Sequence, residues 1–270
     1  MPSDSLDHMI YAPVPFKGYA IRAKSPAVVE EEFKEAARDW FVPFDETLYA
    51  DYSYQSRVVI NPFSSKKLFF SRTFRRPKLD DLGRDGQVCH MVSISKDLLS
   101  QGLSLKDVDE SLASFEDKTG IPVGSMESLG VSWDGDEDRD LDGMNSIVPE
   151  DSAKKLIAFF SGKDGGSDTK VLVVFKRSYR ERIGLCVMLG KFLYKLDLLP
   201  SFTVTSDPPM EVILNTYSNI VLSEYVPHLK PNSNWKVLNL TPSGDTDARI
   251  NVNQNKIDDT MKTIYGSTGQ

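Results

Sequence analysis

The chain is predicted to be an α+β protein with mixed sheets and packed helices, and three observations point there. Short β-branched and aromatic runs alternate with segments of helical period along the whole length, so neither class is confined to one end. The stretch 170–207, KVLVVFKRSYRERIGLCVMLGKFLYKLDLLPSFTVTSD, reads as strand, long helix, strand. A hydrophobic fraction of 40% and a charged fraction of 26% in 270 residues are those of an ordinary globular chain.

Taken in order, His8 to Pro13 and Gly18 to Ala23 read as two short strands joined by a turn around Pro15 to Gly18, with Tyr11, Tyr19 and Ile21 as apolar members. Ser25 followed by Pro26 predicts a helix start, with Glu30, Glu31 and Glu32 near the positive helix end. Val29, Phe33, Ala36, Ala37 and Trp40 form its apolar stripe, and Pro43 stops it. Arg57 to Ile60 and Lys67 to Phe74 are strand candidates separated by turn formers Asn61, Pro62, Ser64 and Ser65. The basic, aromatic segment KKLFFSRTFRRPK at 66–78 is expected to be an amphipathic strand with Phe69 or Phe70 in the core, in preference to a base-stacking surface.

After the loop LDDLGRDG, the strand QVCHMVSIS at 87–95 places Val88, His90, Val92 and Ile94 on one face and Cys89 and Met91 on the other. Ser104 with Asp107 opens an amphipathic helix through Val108, Leu112 and Phe115 that ends near Gly120. The least regular segment, 124–149, is where the chain is expected to divide. The predicted organisation is an α+β subdomain at 1–123, an acidic linker at 124–149, a second α+β subdomain at 150–240 and a polar tail at 241–270. In that tail Ile257, Met261, Ile264 and Tyr265 either dock as a short helix or stay disordered.

In the second half, Ser152 to Phe160 is a short helix, and Val171 to Phe175 has the continuous apolar run of a strand buried on both faces. Ser178 with Glu181 predicts a capping box. Leu185, Leu189, Phe192, Leu193 and Leu196, widened by Ile183, Val187 and Tyr194, enclose most of the helix, leaving Arg177, Arg180, Arg182 and Lys191 as its solvent side. Pro200 ends it, and Phe202 to Thr205 alternates as a strand that is parallel to the first if the two share a sheet. Met210 to Leu214, Ile220 to Val226 and Trp235 to Leu240 are further strand candidates.

Bulk properties exclude several function classes. A net charge of −7 argues against nonspecific nucleic-acid binding as the main activity, because phosphate affinity comes from clustered cations that release counterions. Cys89 and Cys186 sit in apolar runs and read as core residues of a reducing compartment. With neither a leader-like start nor an apolar run near the roughly 18 residues of a membrane span, the expected location is the cytoplasm. No P-loop, nucleophile elbow or paired-histidine zinc spacing occurs, and neither cysteine has an activating base beside it in sequence.

Two local patterns remain as candidate sites. Asp138, Asp140 and Asp142 followed by Gly143 match the start of a calcium loop, in which alternating carboxylates converge on a hard cation. Position twelve, where a bidentate Glu belongs, is Pro149, so a solvated acidic loop is the competing reading and no cofactor is required. Gly83 and Gly86 bracket Arg84 and Asp85 in a loop leading to the strand that bears His90. There the competing reading is a glycine turn with a surface ion pair and a satisfied core histidine. His8, His90 and His228 are each isolated in sequence.

Three segments together resemble the amino-terminal domain of the GTPase-associated scaffold proteins of prokaryotic defence gene clusters. They are HMIYAPVPFKGYAIRAKSP, the glycine turn and strand LDDLGRDGQVCHMVSIS, and the helix ending in LLP followed by SFTVTSDPP. The resemblance implies a non-catalytic adaptor whose partner is a protein, a GTPase in that family, with Arg84 and His90 at motif positions; the candidate interaction residues are Tyr11, Arg84 and His90. No established chemistry travels with them. The other reading is a small hydrolase or transferase whose site gathers His90, Arg84 and Tyr11, and it requires those side chains to converge in one cleft.

Overall fold

In the computed structural model the described residues are 1–36, 57–62, 64, 66–76, 78–79, 82–83, 86–136, 139–141, 148–161, 170–176, 179–195, 204–206, 219–224, 234–240, 258 and 261–262. The protein is α+β, and its chain divides into two compact units, residues 1–137 and 138–270.

The first unit is built on an antiparallel sheet. Its strands are β2 (His8–Val14), β3 (Gly18–Lys24), β4 (Arg57–Pro62), β5 (Lys67–Arg76) and β6 (Gly86–Ser95), with the two-residue β7 (Gly124–Ser125) parallel to β3 at one side. Within the unit the order is β4-β5-β6-β2-β3-β7. The pairings Phe70↔Val92, Arg72↔His90, Ile10↔His90 and His8↔Val92 set which side chains share a face. Ile10, Ala12, Ala23, Phe74 and Val88 pack on one face; Met9, Phe69, Cys89 and Met91 pack on the other. Because both faces are covered, Phe69 and Phe70 are both core residues, at 1% and 0% exposure, where the alternation allowed for one.

Helix α1 (Glu30–Ala36) covers the Met9 face, its Phe33 ring edge-on to Phe69 at 4.9 Å. It starts later than Ser25 suggested. Ser25 is buried and its Oγ accepts the His8 amide at 3.0 Å, so that hydroxyl serves β2 and not a helix end. The apolar stripe shifts accordingly: Val28 is in the core and Val29 is half exposed. A short helix α2 (Lys96–Ser100), which the apolar pattern did not signal, follows β6 directly.

Helix α3 (Leu105–Thr119) covers the opposite face. Ser104 caps it through a full capping box with Asp107, and Gly120 at φ 70° ends it, both as the sequence reads. The segment expected to be irregular contains β8 (Leu129–Ser132), which pairs antiparallel with β1 (Ser3–Leu6) as a separate two-stranded sheet. The partner of β8 lies more than a hundred residues upstream, so no local period could announce it.

The second unit is a parallel sheet of β9 (Lys170–Val174), β10 (Val204–Ser206), β11 (Ile220–Ser223) and β12 (Trp235–Asn239), in the order β12-β9-β11-β10. Val171 to Val174 are fully buried, as a strand enclosed on both faces must be. Helix α4 (Glu150–Ser161) lies by β12, with the Ser152 hydroxyl donating to the Leu240 carbonyl at 3.3 Å. Helix α5 (Tyr179–Lys195) connects β9 to β10 and buries Leu185, Leu189, Phe192 and Leu193. Its supposed solvent side is partly internal: Arg182 and Lys191 are each 2% exposed. Arg182 reaches Glu224 at 3.5 Å, and the Lys191 ammonium sits 5.4 Å from the Tyr194 ring centre. Ser178, Leu196 and the Met210 to Leu214 run fall outside the described residues.

Candidate functional site

Two regions of the first unit concentrate unusual side chains: a polar cluster under α3 and the sheet end formed by the β2–β3 turn and the start of β6. In the polar cluster, the antiparallel pairing of β2 with β6 puts His8 and His90 diagonally opposite on the α3 face. Their rings meet at 2.8 Å, His8 Nδ1 to His90 Nε2, so residues isolated in sequence are neighbours in space. His8 Nε2 is 2.6 Å from the Glu127 carbonyl, and His90 Nδ1 is 3.0 Å from Glu116 Oε1. Phe115 packs against both rings.

The protons follow from what each partner can do. A carbonyl oxygen only accepts, so His8 Nε2 carries a proton and donates it to Glu127. Neutral His8 then offers Nδ1 as an acceptor, and His90 Nε2–H donates to it. That leaves His90 Nδ1 facing Glu116, with one proton shared between imidazole and carboxylate. Arg72 lies on the far side of Glu116, its NH2 at 4.0 Å, and also donates from NH1 to the Asp109 carbonyl at 2.9 Å. Burial and the neighbouring His90 charge bring the His8 pKa down to about 4, against the opposing pull of Glu127. Burial pushes the Asp109 carboxyl up, with Arg72 pulling the other way.

This cluster is closed to ligands. His8 and His90 are both 0% exposed, so no substrate reaches a ring nitrogen. Its effect is to tie β2, β6, α3 and the segment before β8 together. Tyr11 stands on the opposite face of the sheet, paired with Cys89 while His90 pairs with Ile10, so Tyr11 and His90 cannot share a cleft. Arg84 lies outside the described residues. Of the acidic triplet, Asp140 is fully buried, and Asp138 and Asp142 also lie outside them. Among the described residues no three His, Cys, Asp or Glu side chains gather as a metal site.

The second region is the sheet end. Lys17 N–H donates to the Val14 carbonyl at 3.0 Å, closing a four-residue turn over Val14 to Lys17. Pro15 at its second position holds φ near −65°, as types I and II both require, and a positive φ at the third position is what makes the turn type II. The residue there is Phe16, at φ 61°, with its side chain 97% exposed. A β-carbon in the left-handed region costs roughly 1–2 kcal/mol, which is why glycine usually fills this position. The sequence P-F-K-G announces a turn but not a positive φ at Phe16, since Gly18 lies outside the four turn residues.

Around Phe16 stand further aromatic and apolar groups. Tyr19 is 51% exposed, stacked against Tyr11 with ring centres 6.1 Å apart, and its hydroxyl accepts the Gln87 amide at 2.9 Å. Tyr11 donates its hydroxyl to the Tyr19 carbonyl at 3.1 Å, and burial raises its pKa. The loop before β6 arrives at the same end. A β-carbon on Gly86 would sit 2.9 Å from both Leu79 Cδ2 and Pro13 Cγ, so a side chain there would force Leu79 and Pro13 to shift. Gly83, at φ 72°, turns the loop, and Leu82 beside it is 76% exposed.

Comparison with known proteins adds little. No protein-family model matches the sequence, and no curated protein matches it. Among solved structures, the K. lactis Lst4 longin domain is similar to this chain at 16% identity and a TM-score of 0.26, covering 42% of this chain and 68% of that one. At that distance the functional reading rests on the residues themselves. Among the described residues no helix is long and apolar enough to cross a membrane.

Proposed function

We propose that the protein is a non-catalytic interaction module that docks on a partner protein through the exposed end of its N-terminal sheet. The observation that carries this reading is Phe16, an aromatic side chain held in solvent on a backbone conformation that disfavours it. Backbone outliers cluster at functional sites, and aromatic side chains dominate the energetics of protein interfaces. Tyr19 and Leu82 are also exposed, and Arg84 follows Gly83 in the sequence.

The partner we infer is a GTPase. This comes from the resemblance of the β2–β3 hairpin and of the Gly83 to Gly86 turn to the scaffold proteins named above, two segments that the fold brings to one end of one sheet. The test is affinity capture by the tagged full chain from lysate of its source, with Phe16→Gly and Arg84→Ala as separate controls and bound proteins identified by mass spectrometry. The expected result is a GTPase retained by the wild type and lost by both variants. A wild-type chain that retains no GTPase, or retention indifferent to Phe16, overturns the reading.

A further inference from the structure

The outer edge of β8 is a second surface of the first unit with an unusual geometry. Trp133 N–H donates to the Pro2 carbonyl at 3.1 Å, which makes Pro2 and Trp133 a hydrogen-bonded pair of the β1–β8 ladder. Hydrogen-bonded and non-bonded pairs alternate in an antiparallel ladder, so Asp4↔Val131 and Leu6↔Leu129 are bonded and Ser3↔Ser132 and Ser5↔Gly130 are not. The amides and carbonyls of Gly130 and Ser132 therefore point away from β1. Among the described residues no strand pairs with that edge, because β1 and β8 form a sheet of their own. Such an edge is a template for another extended chain.

That edge opens into a groove of about 360 Å³ between β8 and α3, lined by Gly130 and Ser132 on one side and Glu110 and Lys118 on the other, with Phe115 and Leu129 also in the lining. A β-carbon on Gly130 would meet nothing within 4 Å, so backbone can approach it closely. The dimensions agree. Glu110 and Lys118 are about 12 Å apart along the helix at 1.5 Å per residue, and a four-residue strand spans about 13 Å.

We propose that this groove binds an extended peptide segment of a partner protein, which adds to the free edge of β8 as a strand. Backbone bonds to Gly130 and Ser132 hold it, and an apolar side chain faces Phe115 and Leu129. A basic residue lies at the Glu110 end and an acidic one at the Lys118 end, because the groove has opposite charges at its two ends. The surface is distinct from that around Phe16, so either proposal can fail alone.

The test uses an array of synthetic heptapeptides with alternating valines, carrying Lys at one end and Asp at the other in both orders, against the full chain. One order is expected to bind at least tenfold more tightly than the other and to slow amide exchange at Gly130 and Ser132. Gly130→Pro, which removes an outward amide that the β1 ladder does not use, should weaken binding at least tenfold. The surface double variant Glu110→Lys with Lys118→Glu should reverse the preferred order and is a check that does not depend on the backbone. Equal binding by wild type and both variants overturns the proposal, as does no binding of any peptide. Light scattering at twice the chain mass that reverts to monomer in Gly130→Pro also overturns it, by giving the edge to a second copy.

Discussion

The cluster around His90 and the sheet end around Phe16 belong to the same antiparallel sheet, and they break the usual partition of residues in opposite senses. One puts ionisable groups inside; the other puts an aromatic ring outside. Inside, each ring nitrogen of His8 and His90 has a partner within 3.0 Å, so burial is compensated and the groups clamp four segments together. Outside, Phe16 combines 97% exposure with a left-handed backbone. Perturbed, buried histidines are therefore not evidence of an active site in this chain, and the surface that departs from folding economy is the better candidate for selection by a partner.

The largest effect should come from opening the inner cluster. Glu116→Ala leaves His90 and Arg72 facing an uncompensated buried space, and a loss of about 3–5 kcal/mol is expected from urea unfolding at neutral pH. Partner capture by the remaining folded protein should be unchanged. A loss below about 1 kcal/mol would mean that the cluster is not the clamp described here.

Acid acts on the same cluster from another direction. His8 has its pKa lowered from 6.5 to about 4 by burial and by His90, so the unfolded chain takes up that proton first. Between those pH values the unfolded state holds more protons, stability rises with pH, and about 3 kcal/mol is lost as pH falls through the window. Protonating His8 Nδ1 would also set two donors against each other across 2.8 Å. Denaturant midpoints measured from pH 7 to pH 4 for wild type and His8→Phe test this: the variant should be weaker at pH 7 and flatter with pH.

At the outer region the sign reverses. Phe16→Gly relieves the turn and should stabilise the protein by about 1 kcal/mol, read as a raised melting temperature, while abolishing partner capture. Stabilisation without loss of capture would separate the strain from the function. The smallest effect belongs to ordinary surface pairs. Lys34→Ala, which breaks a 3.2 Å contact with Glu30 on α1, should change stability by less than about 0.5 kcal/mol and leave capture intact, which sets the background for the other three.

Much of this chain was legible because its signals are local. The β2–β3 hairpin, the capping box of Ser104 and Asp107, the Gly120 stop and the enclosed Val171 to Val174 strand each depend on residues within a few positions of one another. The faces of β6 were readable for the same reason, since alternation assigned His90 and Cys89 to opposite sides before any partner strand was known. The misreadings have one cause in common. Ser25 looked like a helix cap because Pro26 follows it, but its hydroxyl is taken by His8, seventeen positions upstream. Arg182 and Lys191 looked solvent-facing because they are cationic, yet the fold folds them inward.

The sequence by itself determined the class of the protein, the period of its main elements and the absence of familiar catalytic motifs, because propensity, capping and side-chain alternation act over a few residues. Only the tertiary structure decided that His8 meets His90 and His90 meets Glu116, that β8 finds β1, and that Gly86 closes against Pro13. Each of those contacts joins segments far apart in the chain, where the register of a sheet and the packing of a helix, not neighbouring residues, set what touches what.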